Sequence, residues 1–207
     1  DKGAGIRAFI DGSWAFGYTS DLTKSGIRNA SESIARIALS TSKWKDEKYE
    51  IDFPSFQGKI EYSAKKPIDE VPVEKKIELA KRLSKEISQF DRRVKNARVV
   101  YRDIYTEMYV ANSLGTSVTE ESGRIVFIPF CTARDSKSTQ QAHVAIGLTG
   151  GLDDISEERI GWLVEEPSRV ALSLLESSAV KGGTYDVIVD PALNGAMIHE
   201  AFGHACE

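Results

Sequence analysis

Cysteine is scarce in this chain: 207 residues contain two, Cys131 and Cys206. That is too few for a disulfide framework, and a reducing compartment is expected, the cytoplasm by default. No apolar run approaches the roughly 18 residues needed to cross a bilayer, so a membrane domain is excluded. Basic residues are not in excess. Lys and Arg number 27 against 31 Asp and Glu, a formal charge of −4, and no nucleic-acid partner is expected. Tandem repeats and low-complexity tracts are absent. An initiating methionine is absent as well. The chain opens Asp1-Lys2-Gly3-Ala4-Gly5, without a signal peptide, and sequence is expected to be missing before it. The remainder is ordinary for a globular protein, 41% hydrophobic and 28% charged, and long enough for one or two domains.

Residues 5–11 alternate like a strand, Asp11-Gly12 is a hairpin signal, and residues 14–18 return. Thr23 or Asp21 can cap a helix with Ile27, Ala30, Ile34, Ile37 and Ala38 on one face. Residues 41–67 read as a connection with one short strand. Pro72 opens a helix from Val73 to about Phe90, striped by Val73, Ile77, Ala80, Leu83 and Ile87. Its lysines and arginines alternate with glutamates, which makes a solvated face with i,i+4 pairs rather than a phosphate site.

From Arg98 to about Thr149 the β-rich text predicts antiparallel strands, with Asn112-Ser113-Leu114-Gly115 as a turn. His143, alone in the last strand, reads as a packed or surface residue, and Cys131 as a small core residue. Residues 153–177 predict helix, interrupted or restarted at Pro167. Lys181-Gly182-Gly183 ends it, Tyr185–Val189 reads as a short buried strand, and Asp190-Pro191 starts a final helix. The fold class is α+β: an antiparallel sheet with flanking helices, preceded by a β-hairpin and helix portion and ending in a truncated strand–helix unit. The expected divisions are 1–66, 67–180 and 181–207, the last being the start of a C-terminal metal-site domain.

Two of the three histidines and one of the two cysteines fall in the last nine residues, His199-Glu200-Ala201-Phe202-Gly203-His204-Ala205-Cys206-Glu207. Neutral imidazoles bind zinc, and a neighbouring carboxylate can take a proton from water that the metal acidifies. In the H-E-x-x-H arrangement the histidines stand one helical turn apart. Here they are five residues apart, which on a regular helix separates them by about 140°. Both meet one metal only if the helix is bulged or ends between them, and Gly203 suits either distortion. The spacing alone does not establish zinc. The chain stops one residue after Cys206, inside its most chemical segment, and is read as a fragment.

The run Asp190-Pro191 … Gly195 … His199-Glu200-Ala201-Phe202-Gly203-His204 … Glu207 resembles the H-E-x-x-x-H signature of the TldD/PmbA metalloprotease family. Residues 5–22 resemble that family's early hairpin-and-helix segment, and Asn112-Ser113-Leu114-Gly115-Thr116 its N-S-x-G turn. The blocks occur in the family's order along nearly the whole chain, and the intact His and Glu are similar to the TldD-type subunit. The resemblance implies His199 and His204 as zinc ligands and Glu200 as general base. It also implies a third ligand, a cysteine, from a domain this chain does not contain. Cys206 is not at that place in the pattern, and Glu207 matches a frequent family acid. The implied activity is hydrolysis of peptide bonds in unfolded or extended polypeptides. It would run beside a PmbA/TldE-type partner subunit or as a homo-oligomer, and the isolated chain would be inactive. The rival expectation is a non-catalytic assembly or regulatory module with a vestigial metal motif.

Overall fold

The computed structural model describes residues 2–46 and 48–206. They form two compact units, the first from residues up to Tyr62 together with Tyr105–Ser122, the second from Ser63–Ile104 together with residues from Gly123 on.

In the first unit, β1 (Ala4–Ile10) and β2 (Ser13–Thr19) pair antiparallel, from Ala4 opposite Thr19 to Ile10 opposite Ser13. The two-residue turn carries Asp11 at φ 46° and Gly12 at φ 78°, the pair of left-handed conformations that a type I′ hairpin needs. One face of the hairpin, Ile6, Ala8, Ile10 and Ala15, packs on Ile34 and Ala38 of α1 (Lys24–Ser42). Of the two capping candidates, Thr23 is the N-cap and Asp21 holds it in place. The Thr23 hydroxyl oxygen accepts the Gly26 N–H at 3.1 Å, while Asp21 accepts from the Thr23 N–H at 3.0 Å and its hydroxyl at 2.6 Å. Within the connection to the second helix lies one strand, β3 (Gln57–Ile60). It pairs parallel with the start of β5 (Ser117–Arg134), an orientation that short polar segments do not announce. β4 (Val94–Ala111) precedes β5 across the expected turn. There the Asn112 side-chain oxygen accepts the N–H groups of Leu114 and Thr116, each at 3.0 Å.

In the second unit β5 is the organising strand. Ile125, Phe127, Cys131 and Ala133 are buried at alternate positions, the period of a sheet with one covered face. β6 (Thr139–His143) and β7 (Ile146–Thr149) both run antiparallel to it, with Phe130 opposite His143 and Ile125 opposite Leu148. α2 (Val73–Gln89) buries Leu83 and Ile87, and α3 (Glu157–Glu176) buries Ile160, Leu163, Val164 and Ala171 against the same core. Each of the larger side chains contributes about 1.5–3 kcal/mol by leaving water. Arg82 lies 2.9 Å from Glu86 on its own helix and 3.0 Å from Glu157 at the start of α3. No described helix is long and apolar enough to cross a membrane.

Three expectations need correction. Pro167 neither interrupts nor restarts the helix: α3 runs through it without a break. The proline ring is fully buried, and the next residue's hydroxyl, Ser168 Oγ, donates to the Val164 carbonyl at 2.7 Å. The apolar packing of this face outweighs the lost N–H. α3 also ends at Glu176, before Lys181-Gly182-Gly183. Tyr185–Val189 is not a buried strand. It has no strand partner among the described residues, and Val187 and Ile188 are exposed; without a ladder its backbone groups have no reason to adopt sheet geometry.

Candidate metal centre

The terminal helix starts cleanly. Asp190 adopts an extended conformation and its side chain accepts the Leu193 N–H at 2.8 Å, with Pro191 in the first turn of α4 (Pro191–Ile198). At His199 the winding changes. Residues His199–Gly203 form a π turn, closed by the His204 N–H donating to the His199 carbonyl five residues back. A 3-10 turn, His204–Cys206, follows.

This single wide turn resolves the spacing problem. On an α-helix the two histidines would diverge by about 140°. Through the π turn their rings meet edge to face, with centroids 4.5 Å apart at 65°. Glu200 joins them, with one carboxylate oxygen 3.6 Å from His204 Nε2. One donor atom from each of His199, Glu200 and His204 lies within 4.8 Å of the other two, and all three residues are exposed.

The group suits a divalent transition metal: the two imidazoles match zinc's usual N ligands, and the carboxylate beside them is placed to accept a proton from water at such a metal. Two bonds of about 2.1 Å span at most about 4.2 Å, so modest rotations of exposed side chains bring the imidazoles to one ion. The two imidazoles would leave positions open for a further ligand and for water, as a catalytic rather than a structural site requires.

No other His, Cys, Asp or Glu joins this group among the described residues. Cys206 is exposed and outside it. Glu207 lies outside the described residues. His143 stands on β6, its ring stacked on Phe130 at 5.0 Å, and Cys131 is fully buried in the core. The sequence therefore contained every donor of the cluster; the form of the bulge was not readable from it.

The α+β scaffold thus ends in a helix that gathers His, Glu and His, a group of side chains that could hold a metal ion. Comparison with known proteins makes this specific. The PmbA/TldA metallopeptidase central domain matches residues 66–175, more than half of the chain, and PmbA/TldA metallopeptidase domain 1 matches residues 1–38. The chain belongs to the PmbA/TldD metallopeptidase family.

It is 29% identical over 206 residues to a metalloprotease of Methanothermobacter thermautotrophicus, covering 100% of this chain and 44% of that protein. To a metalloprotease TldD homolog of Buchnera aphidicola it is 25% identical over 221 residues, again covering 100% of this chain and 44% of the relative. The chain thus spans less than half the length of these relatives. Among solved structures, a proposed modulator of DNA gyrase from Bacteroides thetaiotaomicron superposes with a TM-score of 0.68 at 16% identity, covering 97% of this chain and 46% of that one. TldE from Thermococcus kodakarensis superposes with a TM-score of 0.54 at 15% identity, covering 80% and 36%. At such identities the structural likeness speaks for the fold.

Proposed function

We propose that this chain carries the metal-binding helix of a zinc metallopeptidase that hydrolyses peptide bonds in unfolded or extended polypeptides. The observation that carries the reading is the π turn, which gathers His199, Glu200 and His204 on one face in a chain of a metallopeptidase family. His199 and His204 hold the metal through imidazole nitrogens, and a third ligand comes from outside these residues. When bound, zinc supplies a Lewis acid that polarises a carbonyl and acidifies water. Glu200 is the general base: its carboxylate takes the proton of the attacking water and delivers it to the departing amide nitrogen. Its exposure leaves room for a substrate strand and for walls supplied from beyond this chain. The likeness to TldE and to TldD homologues favours assembly with a TldE-type subunit, a homo-oligomer being the alternative. The scarcity of cysteine favours the cytoplasm.

The deciding experiment uses the full-length protein. Zinc per chain and cleavage of an unfolded polypeptide are measured for the wild type, His199→Ala and Glu200→Gln. His199→Ala should lose the metal. Glu200→Gln should keep it while cleavage falls by at least about a hundredfold, the usual contribution of a general base. Zinc absent from the wild type, or cleavage indifferent to chelators, would replace this reading with a non-catalytic assembly or regulatory module.

A further inference from the structure

We infer that Gly203 is a positioning residue of the metal centre, and that its missing Cβ, rather than its backbone freedom, is what the site requires. The inference rests on the metal-centre reading above and adds a residue to it.

The backbone gives glycine no special reason to stand here, since the positive-φ glycines are Gly12, Gly58, Gly115 and Gly150. Space gives one. A Cβ built on Gly203 would lie 3.3 Å from His199 Nδ1, 3.7 Å from its Cγ and 3.9 Å from its Cβ. The first distance is tight enough that the imidazole must move by a few tenths of an ångström.

Helix geometry explains the conflict. Side chains lean toward the N-terminus, so residue i+4 covers the surface over residue i. In H-E-x-x-H that position is the second ligand. Here position i+4 from His199 is Gly203, and the second histidine stands at i+5. A side chain at 203 would press on the His199 ring, which meets that of His204 with centroids 4.5 Å apart. Emptying position i+4 is therefore the steric condition for an i,i+5 histidine pair, and the π turn is its backbone condition. Gly195, one helical segment earlier, is the internal control, because a Cβ there meets nothing within 4 Å.

Glycine and alanine have opposite effects on helix and site, which makes the test selective. Alanine is the better helix former, so neither Gly203→Ala nor Gly195→Ala should reduce helicity. Zinc titrations of the full-length protein, followed by NMR of the histidine imidazoles, report affinity and ring environment without any activity. In the wild type the His199 and His204 resonances should shift together. Gly203→Ala should raise the zinc Kd about tenfold, the scale expected for a ligand side chain forced off its rotamer, and should shift the His199 ring signals even without metal. Gly203→Val should do so more strongly, and Gly195→Ala should match the wild type. Binding lost in His199→Ala but unchanged in Gly203→Ala and Gly203→Val overturns the positioning role alone. Binding indifferent to His199→Ala overturns the metal reading and this inference with it.

Discussion

Cys131 sits at 0% exposure on the covered face of β5, where burial pushes its thiol pKa up against a smaller lowering by the Ser168 hydroxyl, whereas Cys206 is exposed. Only a thiolate attacks an alkylating reagent, so both access and ionisation protect Cys131. In the native chain a thiol reagent should modify one cysteine rapidly, Cys206, and the second only on unfolding, as mass spectrometry of the labelled chain would read. Rapid double labelling under native conditions would mean that the β5 core opens. At this scale the sequence was legible where chemistry depends on residue type. His199, Glu200 and His204 stand out because few side chains bind metals, and the five-residue spacing already demanded a bulge or a helix end. Which of the two occurs depends on a single backbone hydrogen bond, from the His204 N–H to the His199 carbonyl, and no side-chain pattern encodes it.

α4 depends unusually on its own cap. None of its residues is buried, with Leu193, Met197 and Ile198 each more than half exposed, so little packing stabilises it among the described residues. A short helix in that position is marginal, and the Asp190 carboxylate accepting the Leu193 N–H becomes a large share of its stability. Asp190→Ala should cost about 1 kcal/mol of helix stability and lower zinc affinity severalfold without touching a ligand. Circular dichroism and zinc titration check it; unchanged affinity would mean that something other than the cap holds the helix. Caps and stripes were also what made α1 and α2 readable in advance, through Thr23 with Asp21 and through Leu83 with Ile87. Where tertiary packing overrode local rules, reading failed. Pro167 is a helix breaker by propensity, yet its buried ring and apolar neighbours carry α3 past it. Tyr185–Val189 has strand composition but no partner to pair with among the described residues, and the parallel alignment of β3 with β5 joins residues about 60 apart through a backbone ladder that no local pattern announces.

At the scale of the molecule, the long β4 and β5 strands contribute residues to both compact units, so neither unit is a continuous piece of sequence. Local patterns give elements, not such exchanges. What the composition does convey is a surface dense in charge, and its consequence is acid sensitivity. Among the described residues, five carboxylates are held below their ordinary values by different donors. Arg93 lowers Asp91, Arg82 lowers Glu157 and Arg169 lowers Glu166, in each case chiefly by hydrogen bonding. Asp21 is lowered by the Thr23 hydroxyl and N–H, and Asp135 by the N–H groups of Ser138 and Lys137. A depressed native pKa means that the unfolded chain binds more protons in the window between the two values. The stabilisation is therefore complete above the ordinary carboxylate values, 3.8 for Asp and 4.5 for Glu, and is lost as pH falls through the native ones. The melting temperature should hold steady at mild pH and drop once pH passes below about 4.5. Salt separates the two kinds of donor. At about 1 M the screening length shrinks to about 3 Å, which weakens the arginine pairs but leaves hydrogen bonds from neutral backbone and hydroxyl groups largely intact. High salt should thus reduce the acid-induced fall in melting temperature without abolishing it. A fall erased entirely by salt would assign the effect to the arginine pairs alone, and a flat profile down to about pH 3 would remove these carboxylates from the account of stability.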